Sequence, residues 1–157
     1  MQKTDIRLYN ILFPIWLFFL WPTAVWLLIL PANFAVDSLA LYLAARHLKI
    51  GERPALWRRS IVKVWVIGFL SDLVGAALIF GLMLTLDYAM PSWDTFHFPG
   101  TTLLSLPGVV LAGVLIYWGN RRFSFSKCGL GEETVRALAL ALAVFTAPYA
   151  MLIPLYG

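Results

Sequence analysis

The chain has 157 residues, of which 61% are hydrophobic and only 13% are charged. Because charged residues make up about a quarter of a soluble globular protein, this composition excludes that class and indicates an integral membrane protein. The single cysteine, Cys128, excludes an intramolecular disulfide, a dithiol redox site and a multi-cysteine zinc site.

The hydropathy pattern predicts five hydrophobic helices and hence an all-α membrane protein. We expect a single transmembrane helical domain over residues 1–157, because several spans of about 20 residues use most of this length. The five helices are predicted over residues 11–30, 34–49, 64–86, 101–119 and 132–156.

A break signal, Pro31-Ala32-Asn33, separates the first two predicted helices. We expect these helices to form a hairpin, with Asn33 capping the second one and Asp37 in its positive end. Only twelve residues separate Asn33 from Arg46, roughly 20 Å of helix. Two forms therefore stay open, a tight hairpin that crosses the membrane and a re-entrant one that dips into it.

The third predicted helix, residues 64–86, is the segment around which the others are expected to pack. It is roughly 34 Å long, enough to cross a hydrocarbon core of about 30 Å, and it carries Asp72 near its middle. A carboxylate there costs several kcal/mol unless it is protonated, paired or hydrated, so Asp72 is a candidate ion or substrate site. The alternative is a neutral, hydrogen-bonded Asp72 that only joins helices.

Small residues predict where the helices approach closely. Gly68 and Gly75 share one face with Asp72, which should direct this carboxylate into the bundle. In the fifth predicted helix, Ala139, Ala143 and Ala147 repeat at four-residue spacing and predict a second packing face.

Three further residues are candidates for an ion or substrate site, and one of them, Thr146, is also a possible partner for a carboxylate. Asp37 and Asn33 lie one turn apart, and Thr146 lies at middle depth in the fifth predicted helix. With the hairpin, Asp37 would lie roughly 6 Å from the outer edge and Asp72 about 12 Å from the inner one. Contact between the two carboxylates therefore stays open.

All twelve Lys and Arg residues fall on one side of this predicted topology. They precede the first helix or connect the second with the third and the fourth with the fifth, which predicts a cytoplasmic N-terminus and an external C-terminus. Membrane topology and contact with anionic headgroups of the bilayer account for these charges, so no nucleic-acid partner is expected. The segment from Asp87 to Gly100 is then an outer loop.

The chain offers little other chemistry. Asp94 and His97 in the outer loop are two residues of metal-binding type, but two ligands do not make a site. We therefore expect no metal, no cofactor and no catalytic residue, and a protein that is not an enzyme.

Several phrases of the sequence resemble a known group of proteins. These are Leu30-Pro31-Ala32-Asn33-Phe34, Lys63-Val64-Trp65, Gly68-Phe69-Leu70 followed by Asp72, and Phe145-Thr146-Ala147-Pro148-Tyr149. Together they resemble small, uncharacterised, multi-pass membrane proteins of Gram-positive anaerobic bacteria. The resemblance implies a location in the bacterial inner (plasma) membrane and no particular activity.

Two functional hypotheses follow. The first is a small transport protein, or the membrane subunit of a transporter, that moves an ion or small solute by means of Asp72. The second is a non-enzymatic accessory or scaffold protein whose small-residue faces bind a larger membrane partner or a second copy of the chain.

Overall fold

A computed structural model describes residue 24 and residues 26–90 and 98–153. These residues form four α-helices and no strand, which confirms the all-α class but not a set of five helices. A π-helical turn, Asn120–Ser124, extends α3, and a 3-10 turn, Tyr149–Leu152, follows α4. The helices are α1, Trp26–His47, α2, Arg53–Ala89, α3, Gly100–Gly119, and α4, Glu132–Thr146.

Three of the helices are long and apolar enough to cross a membrane. They are α1 with 22 residues, α2 with 37 and α3 with its π-helical turn, 25 in all. By contrast, α4 has 15 residues and is about 22 Å long, short of a hydrocarbon core of about 30 Å. Three membrane-crossing helices agree with the prediction of an integral membrane protein.

The predicted break at Pro31-Ala32-Asn33 does not form, because α1 runs through these residues without interruption. Hence there is no hairpin turn at this point and Asn33 is not a helix cap. A proline inside a helix loses one backbone hydrogen bond, whereas a turn inside a membrane would leave more backbone groups without partners. Most of the first predicted helix, residues 11–30, lies outside the described residues.

The third predicted helix is the central part of a longer one. Instead of a connector before residue 64, the chain is helical from Arg53, with Pro54 in the first turn, where its missing N–H is not needed. Leu56 and Ile61 are buried, and the rings of Trp57 and Phe34 pack edge to face at 6.3 Å. This packing continues α2 for about 15 Å beyond its apolar stretch.

The last helix ends at Thr146, well before the predicted end at residue 156. Pro148 disfavours helical backbone in the preceding residue, and Ala147 is extended, with a ψ of 146°. The chain still reaches the far end of α3, where the hydroxyl of Thr102 donates to the carbonyl of Leu152 at 2.9 Å. Residues 132–152 thus follow the length of α3 as a broken helix.

Basic residues collect at one end of the bundle, which we call the basic end. There α1 ends and α2 and α4 begin, and the Lys63 ammonium contacts the carbonyl of Phe123 at 3.4 Å. Glu132 accepts hydrogen bonds from Arg121 at 2.5 Å and from Arg136 at 3.3 Å. The hydrogen bond and the charge of Arg121 lower the pKa of Glu132.

The interior holds two separate apolar clusters. The basic-end cluster includes Leu41 of α1, Val64 of α2 and Leu138 of α4. The far-end cluster includes Ile29 of α1 and Ile79 of α2, and it is completed by Met151 of the 3-10 turn. Between these clusters the bundle is not apolar, and this gap contains the candidate site.

Candidate functional site

A polar layer separates the two apolar clusters at the middle of the bundle. On each helix its members fall between the residues of the two clusters: Asp37 lies between Ile29 and Leu41, and Asp72 lies between Val64 and Ala76. The layer is buried, since Asp37 is 1% exposed and Asp72 is 4% exposed. Its polar side chains are those of Asn33, Asp37, Ser71, Asp72 and Thr146.

The two carboxylates lie about one helical turn apart in depth because α1 is unbroken. Asp37 packs on Gly68 of α2, and Asp72 is four residues further along α2 from the basic end. The difference in depth is therefore about 6 Å. The hairpin-based expectation, which placed Asp37 near the outer edge, is thus corrected by the continuous helix.

Gly68 creates the space that Asp37 occupies. A Cβ atom added at Gly68 would lie 3.2 Å from Oδ2 of Asp37 and 3.7 Å from Oδ1, so the carboxylate packs directly on the bare backbone of α2. Asp72 follows Gly68 by one helical turn on the same face. The two carboxyl groups are close enough for the charge of Asp37 to act on Asp72.

Both acids have oxygen atoms without a hydrogen-bond partner. Oδ2 of Asp37 and Oδ1 of Asp72 are buried and accept no hydrogen bond. The nearby Ser71 does not supply one, because its hydroxyl donates to the carbonyl of Ile67 in its own helix at 2.7 Å. Within the described part of the chain, neither carboxylate forms an ion pair with Lys, Arg or His. Among the residues that the structure describes, the layer therefore supplies no fixed positive charge to the two carboxylates.

The end of α4 adds negative electrostatic potential to the same layer. Thr146, its last residue, lies within hydrogen-bonding reach of the Asp37 carboxylate, while its hydroxyl also donates to the carbonyl of Leu142 at 2.9 Å. The final carbonyls of a helix lack intrahelical partners and carry the negative end of the helix dipole. One of them, the carbonyl of Val144, accepts a hydrogen bond from the hydroxyl of Tyr149 at 2.8 Å.

A buried hydrogen-bond donor without a partner lies on the same face of α1. Asn33 is one turn before Asp37, and its side-chain nitrogen is buried without a hydrogen-bond partner. Buried amide groups without partners cost free energy and are rare in proteins. Asn33 and Asp37 thus extend the polar layer along α1 towards the far end.

The other small residues pack against the chain itself. A Cβ atom at Gly75 would lie 2.6 Å from the carbonyl oxygen of Gly108, so the backbones of α2 and α3 touch here. Ala139 and Ala143 are buried in the basic-end cluster, while Ala147 lies half-buried at the helix break. Gly108 is not among the small residues from which the sequence predicted close packing.

The remaining candidates give no site. Among the described residues, no three side chains of His, Cys, Asp and Glu are grouped so that they could hold a metal ion. Asp94 and His97 lie outside the described residues. The candidate site is therefore the acid pair, Asp37 and Asp72, with Thr146 and Asn33 beside it.

Comparisons with known proteins find no matching family model, no matching curated protein and no matching solved structure. The resemblance to small membrane proteins of Gram-positive anaerobes stays a prediction from the sequence, and the function has to be inferred from the site itself.

Proposed function

We propose that this protein carries protons across a membrane and that Asp37 and Asp72 together form the proton-binding site. The observation that supports this most is the contact of Asp37 with Gly68, one turn from Asp72, in a buried layer whose described residues supply no positive charge. Two neighbouring carboxylates in a low dielectric repel each other, and at least one of them must bind a proton or another cation. Two carboxyl groups are sufficient to hold one proton.

The chemistry needs only proton exchange between oxygen atoms. A proton that arrives from one side forms an O–H bond with an oxygen of the pair, and that bond breaks when the proton leaves to the other side. The orphaned oxygens of Asp37 and Asp72 are free to accept it. The negative end of α4 at Thr146 favours a cation over an anion, as do the helix ends of broken helices in transporters.

The orientation is part of the proposal. The basic end faces the cytoplasm of a bacterial cell, since Lys and Arg are retained on that side of the plasma membrane. The far end, which contains the junction between α2 and α3, then faces outwards. The acid pair lies between the two surfaces, with apolar clusters on both sides that keep protons from leaking through the bundle.

The test is proton flux into liposomes. Purified protein is reconstituted into vesicles that contain a pH-sensitive dye, and a potassium diffusion potential drives proton entry. We expect the wild-type protein to acidify the vesicles much faster than protein-free vesicles do. Asp37→Asn and Asp72→Asn should each reduce the rate to that of protein-free vesicles, because an amide cannot exchange a proton at neutral pH.

The matched control is Asp87→Asn, which removes an exposed carboxylate from the same helix α2. It should acidify the vesicles at the wild-type rate. Equal rates for the wild type and Asp72→Asn would remove this residue from the mechanism. If the wild-type protein instead moved sodium or potassium along its gradient without acidifying the vesicles, the transported ion would be a metal cation and not a proton.

The accessory hypothesis now needs a different surface. Its predicted contacts were the faces of Gly75 and Ala143, and the chain's own helices cover both. A large residue at either position is therefore a test of folding rather than of association.

A further inference from the structure

An open groove lies between α1 and α2 near the basic end, on a different face from the acid pair. Its volume is about 720 Å³, within the range of about 300–1,000 Å³ usual for ligand sites. Its apolar part is lined by Phe34, Ala35 and Leu39 of α1 and by Trp57 of α2. From Phe34 to Tyr42 it extends about 12 Å along α1.

One end of the groove carries positive charge. Arg53 and Arg58 of α2 line it, and the structure gives neither an ion-pair partner among the described residues. The guanidinium group of Arg53 lies 6.0 Å from the ring centroid of Tyr42, a cation–π distance that positions it at the mouth of the groove. An apolar channel with two uncompensated cations at its outer end is complementary to a molecule that has an apolar tail and an anionic head.

We propose that this groove is a binding site for an anionic phospholipid of the membrane. One acyl chain lies along Leu39, Ala35 and Phe34, and the phosphate contacts Arg53 and Arg58. Arginine suits this role because its planar fork of N–H groups binds phosphate oxygens in pairs. The depth is also consistent, since the arginines belong to the basic end and the apolar lining runs from there towards the middle of the bundle.

Lipid retention tests the site directly. The purified protein is mixed in detergent with phosphatidylglycerol or phosphatidylcholine, and bound lipids are counted by native mass spectrometry. We expect one phosphatidylglycerol per chain to be retained more tightly than phosphatidylcholine. Arg53→Gln with Arg58→Gln should weaken retention at least tenfold, because each basic residue near an anionic lipid contributes a factor of roughly five.

The matched control is Arg59→Gln with Arg122→Gln, which removes the same charge from exposed arginines of the basic end outside the groove. This variant should bind phosphatidylglycerol as the wild type does. If it lost as much phosphatidylglycerol as the groove variant, the basic end would attract anionic lipids generally and the groove would not be a specific site. Arg53→Lys with Arg58→Lys keeps the charge and should restore part of the binding.

A substitution that fills the groove tests the contribution of its apolar lining to lipid binding. Ala35→Trp adds an indole to an exposed position of the lining and should displace both kinds of lipid. If Ala35→Trp retained phosphatidylglycerol as the wild type does, the lipid would bind outside the groove. If a protein and no lipid were retained tightly, the groove would have a different occupant. The proposal does not depend on proton transport, since Asp37→Asn and Asp72→Asn should leave lipid binding unchanged.

Discussion

Gly68 and Gly75 lie two turns apart on one face of α2, and yet the structure uses them differently. At Gly75 the missing side chain lets the backbone of α3 approach until a Cβ atom would be 2.6 Å from the carbonyl of Gly108. At Gly68 it admits the carboxylate of Asp37, 3.2 Å from the same hypothetical atom. One contact joins two backbones, and the other makes room for a charge.

This difference separates residues that stabilise the packing of the helices from residues that we propose to bind protons. Close backbone contact gains dispersion energy and lets helices pack tightly inside a membrane. A carboxylate beside another carboxylate gains nothing comparable, because its desolvation is not offset by a cation. We therefore expect the polar layer to lower stability, a common cost of the kind of site proposed here.

The largest expected effect comes from a substitution that breaks the backbone contact between α2 and α3. Gly75→Leu places a whole side chain where the α3 backbone lies, so the two helices must separate. We expect a loss of at least about 3 kcal/mol of stability and little folded protein, judged by thermal unfolding and gel filtration in detergent. Gly81→Leu is the control on the same helix, because nothing lies within 4 Å of a Cβ atom there.

If Gly75→Leu folds as well as Gly81→Leu, then α2 and α3 do not touch at this point, and the packing described above is incorrect.

A smaller effect of opposite sign is expected at the acid pair. Asp72→Asn removes one of two neighbouring buried carboxyl groups, so that the charge of Asp37 is no longer opposed, and it should raise stability by about 1 kcal/mol, or roughly 2–4 °C in Tm. The same variant should lose proton flux, so that stability rises while activity falls. Asp87→Asn, at an exposed position, should change neither.

A clear drop in Tm for Asp72→Asn would show that the ionised carboxylate stabilises the bundle, contrary to the comparison of the two glycines.

The smallest effect on stability is expected at Gly68. Its alanine variant puts a methyl group 3.2 Å from Oδ2 of Asp37, which the carboxylate can avoid by a small rotation. We expect a loss of less than about 1 kcal/mol. Proton flux should fall about tenfold, because displacement of a reacting group by a fraction of an ångström is costly.

Gly113→Ala serves as the control for this variant, since its added Cβ atom would lie 4.0 Å from its nearest neighbour, the carbonyl oxygen of Ala143. Wild-type flux for Gly68→Ala would mean that the position of Asp37 on Gly68 is not important for transport.

Part of the fold and of the site was predictable from the sequence. Long apolar runs are visible in a hydropathy profile of the sequence. The spacing of Gly68, Asp72 and Gly75 places them on one face of a helix, whatever elements pack against that helix. The predicted breaks were less reliable. Pro31 is accommodated inside α1, whereas Ala147, the residue before Pro148, is extended and α4 ends at Thr146.

The partner of Asp72 depended on this distinction. With a turn at Pro31, Asp37 lies near the outer edge, and with a continuous helix it lies beside Gly68. No local pattern decides between the two, since the cost of proline in a helix is set by how well the surrounding bundle satisfies the freed backbone groups.

By itself, the amino-acid sequence predicted an all-α membrane protein with a carboxylate within an apolar span. Composition and periodicity are local properties, and burial in lipid follows from them directly. Only the tertiary structure decided that Asp37 packs on Gly68 one turn from Asp72, that Gly75 contacts Gly108, and that Thr146 ends a helix beside Asp37. Those contacts join residues far apart in the chain, and they depend on which helices pack together and in what register.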